Sequence, residues 1–245
     1  MTKILVIDSS TEACSVALLN DGEVSERYQL APREHAKLLL PMVQSLLADA
    51  ELSLTQLDAI GCNVGPGAFT GIRIAVSVAQ GLAFGANLPA ISLSSLANLA
   101  CYGQAESDKK AWFCAIDARM NEVYFSGYKV SDGVATIIGE EMVIPPESIN
   151  WAELSDKLAA DFDDVGLIGS GWLAYEKTML AAPLCREQLI EERFPRALYG
   201  LKQAEQIFLD SQKSDSQESS SQLLEPEFLQ PIYLRNNVAK KSTKK

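Results

Sequence analysis

The sequence predicts an α/β fold built from two related lobes, and three observations carry the prediction. The first is the opening order: an apolar, β-branched run at Lys3–Asp8, an antiparallel meander, a helix, and then a β–loop–α–β unit. The second is an echo of that opening, in which Trp112-Phe113-Cys114-Ala115-Ile116-Asp117 repeats the pattern of Ile4-Leu5-Val6-Ile7-Asp8, a buried strand ending in aspartate. The third is Gly65-Pro66-Gly67-Ala68-Phe69-Thr70-Gly71-Ile72-Arg73, a glycine-rich turn between the apolar run Ala59–Val64 and a helical run ending near Ala86.

The elements follow in order. Cys14–Leu19 is a second strand, Asn20-Asp21-Gly22 is a hairpin signal, and Glu23–Leu30 is a third, antiparallel strand. Glu34–Ala50 has helical spacing, with Pro41 expected to tighten or bend its first turn. Ser53-x-x-Gln56 reads as a capping box for a short turn. After the glycine-loop helix come a strand at Leu88–Ser92 and a helix at Ser94–Tyr102. Three strands, a helix and β–α–β is the order of half of an actin-like or ribonuclease-H-like fold. The second half offers a strand at Glu122–Lys129, a turn at Asp132-Gly133 placed like Asp21-Gly22, helical material around Glu153–Phe162, a strand at Val165–Gly169 and a helix at Arg196–Leu209. The expected domains are therefore residues 1–103 and 111–210, a flexible Ser/Gln/Asp-rich linker at 211–222, and a C-terminal segment at 223–245. Within that segment 226–235 is able to dock back on the body, and Lys240–Lys245 is a basic tail.

Composition bounds the function. The 245 residues are 47% hydrophobic and 22% charged, the make-up of an ordinary globular protein. No apolar run approaches the ~20 residues of a membrane span, and the N-terminus enters a strand without signal-peptide anatomy. Cys14, Cys62 and Cys114 fall in strands and there is no Cys-x-x-Cys pair, which suits reduced thiols and a cytoplasmic location. A net charge of −11 repels nucleic acid, so any RNA would be held mostly by something else.

Chemical equipment is scarce. Asp8-Ser9-Ser10-Thr11, at a strand end, reads either as a phosphate and Mg²⁺ turn or as an Asx/Ser turn satisfying its own backbone. Gly65, Gly67 and Gly71 belong to a loop that lacks the Walker Lys-Ser/Thr and the dinucleotide spacing. In that loop Thr70 is a candidate cap and Arg73 a candidate phosphate ligand, and close strand packing is the competing role for the glycines. The single histidine, His35, starts a helix and reads as a cap or surface residue. Asp8, Asp58 and Asp117 make a weak case for a two-metal nuclease, against which the acidic surface weighs. Helix 34–50 is apolar over more than one face, and helix 70–86 carries small-residue tracks at Ala75, Ala79, Ala83 and at Ser77, Gly81, Gly85. Either a partner or the protein's own lobe covers the excess.

Taken together, Ile7–Cys14, Gly65–Arg73, Asp117–Tyr124, Pro195-Arg196-Ala197 and Pro231–Arg235 resemble the TsaB (YeaZ) family, bacterial threonylcarbamoyladenosine biosynthesis proteins. The resemblance spans nearly the whole chain and implies the two-lobe actin-like ATPase (ASKHA), ribonuclease-H-like fold. In the related catalytic subunit, TsaD, a His-x-x-x-His motif after the glycine-loop helix binds a metal. Counted from Pro89, its positions fall here on Ser95 and Leu99. The resemblance thus implies a non-catalytic paralogue that dimerises with TsaD, is joined by TsaE, and forms a homodimer when alone. The complex transfers a threonylcarbamoyl group to N6 of the tRNA adenosine 3′ of the anticodon. It also implies no cofactor of its own, with ATP and metal on partner subunits, tRNA reached through the complex, and no membrane. Pairing in that family uses the two apolar helices, which nominates Leu39, Met42, Val43, Leu46, Ile72, Val76, Ala79 and Ala83 as interface residues. The alternative class is an ATP-dependent phosphotransferase using Asp8, Thr11 and the glycine loop.

Overall fold

The computed structural model describes residues 2–158, 162–180, 184–191, 193–213 and 222–235. The strands are β1 Lys3–Asp8, β2 Ala13–Asn20, β3 Glu23–Leu30, β4 Ala59–Asn63, β5 Ala90–Leu93, β6 Ala111–Arg119, β7 Glu122–Ser131, β8 Val134–Ile144, β9 Val165–Ile168, β10 Leu189–Ile190 and β11 Leu223–Leu224. The α-helices are α1 His35–Asp49, α2 Phe69–Ala86, α3 Ser95–Glu106, α4 Trp151–Leu158, α5 Gly171–Ala174, α6 Glu176–Met179 and α7 Ala197–Lys213. One sheet runs β11-β5-β4-β1-β2-β3 and the other β10-β9-β6-β7-β8. In each, an antiparallel meander is extended by parallel strands, β4 beside β1 and β9 beside β6. The echo read from Trp112–Asp117 is thus a structural repeat.

Strand residues alternate between two covered faces, which is why the central strands are nearly continuously apolar. Leu5 and Ile7 of β1 face a cluster with Leu39, Val43 and Leu46 of α1 and Ile72, Val76, Ala79 and Ala83 of α2. On the opposite face Ile4 and Val6 meet Ala197, Leu201, Ala204 and Ile207 of α7. In the second sheet Trp112, Cys114 and Ile116 pack on Leu96, Leu99 and Ala100 of α3, while Phe113 and Ala115 face Leu154, Leu158 and Trp172. The layers are therefore α1/α2, first sheet, α7/α3, second sheet, and α4–α6.

The middle layer departs from the linear domain division. Helix α3, drawn from residues 1–103, covers the second sheet, and α7, drawn from 111–210, covers the first. The two helices also bind each other. Tyr102 and Tyr199 stack at 4.0 Å, and the Asn98 side chain donates to Arg196 O (2.8 Å) and accepts from Arg196 N (2.9 Å). Each lobe thus completes its core with a helix from the other half of the chain, an exchange that local periodicity does not encode. Trp112 requires the neighbouring glycines, because a Cβ at Gly103 or Gly166 would enter its ring.

At the expected linker, Ser211–Lys213 prolong α7, and Leu223–Leu224 pair antiparallel with β5. Residues 214–221 and the basic tail at 240–245 lie outside the described residues. Pro41 sits inside α1 without ending it. Among the described residues α2 alone is long and apolar enough to span a bilayer, at 18 residues and mean hydropathy 1.3. The structure accounts for that apolarity: Gly71, Ile72, Ala75, Val76, Ala79 and Ala83 are buried on the sheet.

Candidate functional site: an interlobe cleft and an outward helix face

The ends of β1 and β6 open into a cleft of about 610 Å³ between the lobes. Ser10, Thr11, Gly67, Ala68 and Phe69 line it from the first lobe, Asp117, Arg119 and Tyr124 from the second, and Ile232, Tyr233 and Arg235 from the C-terminal segment.

Asp8 does not open onto this cleft. It is 0% exposed; one oxygen accepts from Asn63 Nδ2, and the other accepts from Ser10 N (2.7 Å) and Ser10 Oγ (3.0 Å). Burial pushes its carboxyl above the usual range, opposed by the hydrogen bonds from Asn63 and Ser10. Asp8 therefore closes an Asx turn, the structural alternative read from sequence. Ser9 is buried, and its hydroxyl donates to Gly71 O at 2.8 Å. Thr11 is buried beside the cleft with its hydroxyl unpartnered.

The glycine loop is fitted against this turn. A Cβ on Gly67 would strike Ser10 O and one on Gly71 would strike Ser9 O, both closer than the 3.0 Å that real Cβ atoms respect. Ala68 N donates to Ser10 O at 2.7 Å, so the loop and turn are hydrogen-bonded backbone to backbone. Gly65 has φ +124° and is buried. Thr70 caps nothing, because α2 begins at Phe69 with Ala68 at the N-cap position and no side-chain cap. Arg73, expected to face a phosphate, lies with its guanidinium 3.6 Å from the centre of the Phe69 ring, and its Nε donates to Tyr233 Oη at 2.7 Å. The loop's glycines thus serve close packing. Toward an anion the first-lobe side of the cleft offers the start of α2, and the second-lobe side the exposed Arg119.

The nominated interface residues need correction. Leu39, Val43, Leu46, Ile72, Val76, Ala79 and Ala83 are each 4% exposed or less, inside the protomer's own core, and Met42 packs against that core. A charge at Leu46 or Ala79 would enter the core and unfold the protomer. The reason is helical phase: in α2 the alanine track faces the sheet, whereas Arg73, Ser77, Gly81 and Gly85 face outward. Gly81 and Gly85 have nothing within 4 Å of where a Cβ would stand. Half-buried Ile74, Val78 and Leu82 flank this open track, and Phe69 (49% exposed) and Phe84 (75%) stand at its ends. Leu40 of α1 is also exposed, at 45%.

His35, expected as a cap or surface residue, is buried at the start of α1 with Nε2 unpartnered. Asp58 accepts from Lys3 N through Oδ2 at 2.6 Å, a contact between the starts of β1 and β4 and away from the cleft. Ser95 and Leu99, at the positions of the metal-binding histidines in the resemblance, are both 0% exposed. Among the described residues no three His, Cys, Asp or Glu side chains gather at one point. Cys14, Cys62, Cys101 and Cys114 are free and buried, and Cys185 is exposed.

The chain matches the family model described as "TsaD: tRNA N6-adenosine threonylcarbamoyltransferase" over residues 27–243. It is 42% identical to the tRNA threonylcarbamoyladenosine biosynthesis protein TsaB of Escherichia coli over 174 residues, covering 71% of this chain and 73% of that protein. It is 39% identical to TsaB of Haemophilus influenzae over 219 residues, covering 84% and 86%. Two solved Pseudomonas aeruginosa structures superpose on it. One, described as similar to peptidase YEAZ, gives a TM-score of 0.82 at 39% identity, covering 96% of this chain and 100% of that one. The other, YeaZ, gives 0.80 at 37% with the same coverage. With its two-lobe α/β architecture and its glycine loop folded onto the β1–β2 turn, the chain belongs to the TsaB (YeaZ) family.

Proposed function

We propose that this protein takes part in threonylcarbamoyladenosine modification of tRNA as a non-catalytic subunit that dimerises with TsaD through the outward face of α2 and the adjoining exposed part of α1. The observation that carries the reading is the open track Ser77-Gly81-Gly85, flanked by Ile74, Val78 and Leu82. Small residues at four-residue spacing let a second helix approach closely, so its ridge fills the groove and buries the apolar flanks. The burial of Asp8 and the residues Ser95 and Leu99 at the histidine positions support a supporting role. On this reading ATP and metal belong to the partner subunits, TsaE joins the pair, and the same face forms a homodimer when TsaD is absent. The net charge of −11 fits tRNA being held mainly by the other subunits, in the cytoplasm.

Two measurements on the native host test this. Affinity capture of the full chain should bring down TsaD, and depletion should lower the threonylcarbamoyladenosine content of tRNA. Normal modification after depletion, or capture without TsaD, would overturn the proposal.

A further inference from the structure

The C-terminal segment crosses the mouth of the cleft and is held at both sides by different forces. On the first lobe Gln80 Nε2 donates to Pro226 O (3.1 Å), Leu229 is 0% exposed within the α1/α2 core, and Ile232 N donates to Val64 O (2.9 Å). Tyr233 then meets Phe69 at 5.8 Å between ring centres and accepts from Arg73. Two residues on, the chain reaches the second lobe, where Arg235 pairs with Glu122 and donates to Arg119 O at 3.3 Å. The near end is thus anchored by apolar burial and hydrogen bonds to Pro226 O and Val64 O, and the far end by the Arg235 side chain, through a partly shielded ion pair with Glu122, a backbone contact and a 3.6 Å contact to Met120 Sδ.

The far contact lands on an unusual turn. Arg119, Met120 and Asn121 have φ of +61°, +57° and +62°, a left-handed run that only asparagine among them tolerates readily. Such a turn persists where its surroundings over-determine it. Here Asp117 Oδ1 accepts from Arg119 N (2.8 Å), the Arg119 guanidinium pairs with Asp117 (2.7 Å) and, across the cleft, with Glu12 (3.7 Å), and Arg235 holds Arg119 O. The Arg119 side chain is 75% exposed, so its own pairs are screened, whereas the Arg235 side chain is 14% exposed.

We propose that residues 226–235 form an interlobe latch, fixed in the first lobe and closed on the second by Arg235, whose release loosens both walls of the cleft together. The two lobes already share the α3–α7 layer, so the latch sets the cleft mouth and leaves their cores joined.

The test is amide hydrogen exchange on the full chain for wild type, Arg235→Ala, Glu122→Ala and the double variant, with the unfolding midpoint of each recorded to show that it folds. The expected result is exchange roughly threefold to tenfold faster in both single variants at residues 117–122 of the second lobe and 64–69 of the first, with the double variant no faster than Arg235→Ala, which already removes every contact of that side chain. Faster exchange confined to 233–235 or to 117–122 alone, or effects that add in the double variant, would overturn the latch. An alanine variant that fails to fold is replaced by the near-isosteric Glu122→Gln, which removes the ion pair and keeps the volume; exchange should again rise on both walls, and a rise on one wall alone would overturn the latch.

Discussion

Replacing Gly71 by alanine should destabilise the protomer, whereas the same replacement at Gly81, farther along the same helix, should stabilise it. At Gly71 the added Cβ would collide with Ser9 O, backbone that cannot swing aside, so α2 must lift off the β1–β2 turn. Lifting costs about 1–3 kcal/mol for overpacking. It also breaks the buried Ser9 Oγ to Gly71 O bond of 2.8 Å, worth about another 1 kcal/mol. Set against a helix-propensity gain of up to about 1 kcal/mol, the expected net loss is about 1–3 kcal/mol. At Gly81 nothing lies within 4 Å of the new atom, and only helix propensity changes. There alanine should gain about 0.8–1.0 kcal/mol. The assay is urea unfolding at a concentration where the chain is monomeric, read as the midpoint shift at constant slope. A Gly71→Ala protein as stable as wild type would refute the close fit of loop to turn. A Gly81→Ala protein less stable than wild type would refute the outward placement of the Ser77-Gly81-Gly85 track.

Two further outcomes follow from buried titratable groups. Glu141 accepts from Ser94 Oγ and Tyr128 Oη, and burial raises its carboxyl above the ordinary value of 4.5. A raised carboxyl contributes stability that is complete below the unfolded value and is lost as pH rises through the folded one. Glu141→Gln keeps an oxygen for both donors, so its stability advantage over wild type should be small near pH 4 and widen toward pH 7. An advantage that stays constant or shrinks across that range would contradict the reading. Native thiol titration should find one reactive cysteine per chain, Cys185, because the other four are buried and burial pushes Cys14 and Cys101 up to about 12. Two or more fast-reacting thiols in the folded protein would be the contrary result.

Much of the architecture was legible because it is local. The continuous apolar, β-branched run in Lys3–Asp8, the Asn20-Asp21-Gly22 hairpin and the echo at Trp112–Asp117 each specify an element by short-range chemistry, and the sheets repeat accordingly. The exchange of α3 and α7 between lobes was not legible, since it depends on which sheet each helix meets. Its trace is that α3 is buried nearly all round, from Asn98 to Gly103. The glycine loop showed its shape but not its purpose: only the positions of Ser9 O and Ser10 O reveal what Gly71 and Gly67 accommodate. In α2 the spacing alone does not separate the buried side, with Ile72, Val76, Ala79 and Ala83, from the outward one, because both small-residue tracks recur every four residues. Arg73 held the missing information, as a cation marks the outward side and Ser77 and Gly81 are in phase with it. Arg235 and Glu122 are separated by most of the second half of the chain, and no sequence pattern joins them.

The most direct measurement of the central claim is the affinity of the Gly81→Leu protein for TsaD, set beside its own unfolding midpoint. Position 81 is exposed and its Cβ would meet nothing within 4 Å, so a leucine there projects to the outside of the protomer and would occupy the groove that a partner helix needs. The account predicts a protomer at least as stable as wild type that binds TsaD about 10- to 100-fold more weakly. Undiminished affinity in the folded Gly81→Leu protein would contradict it.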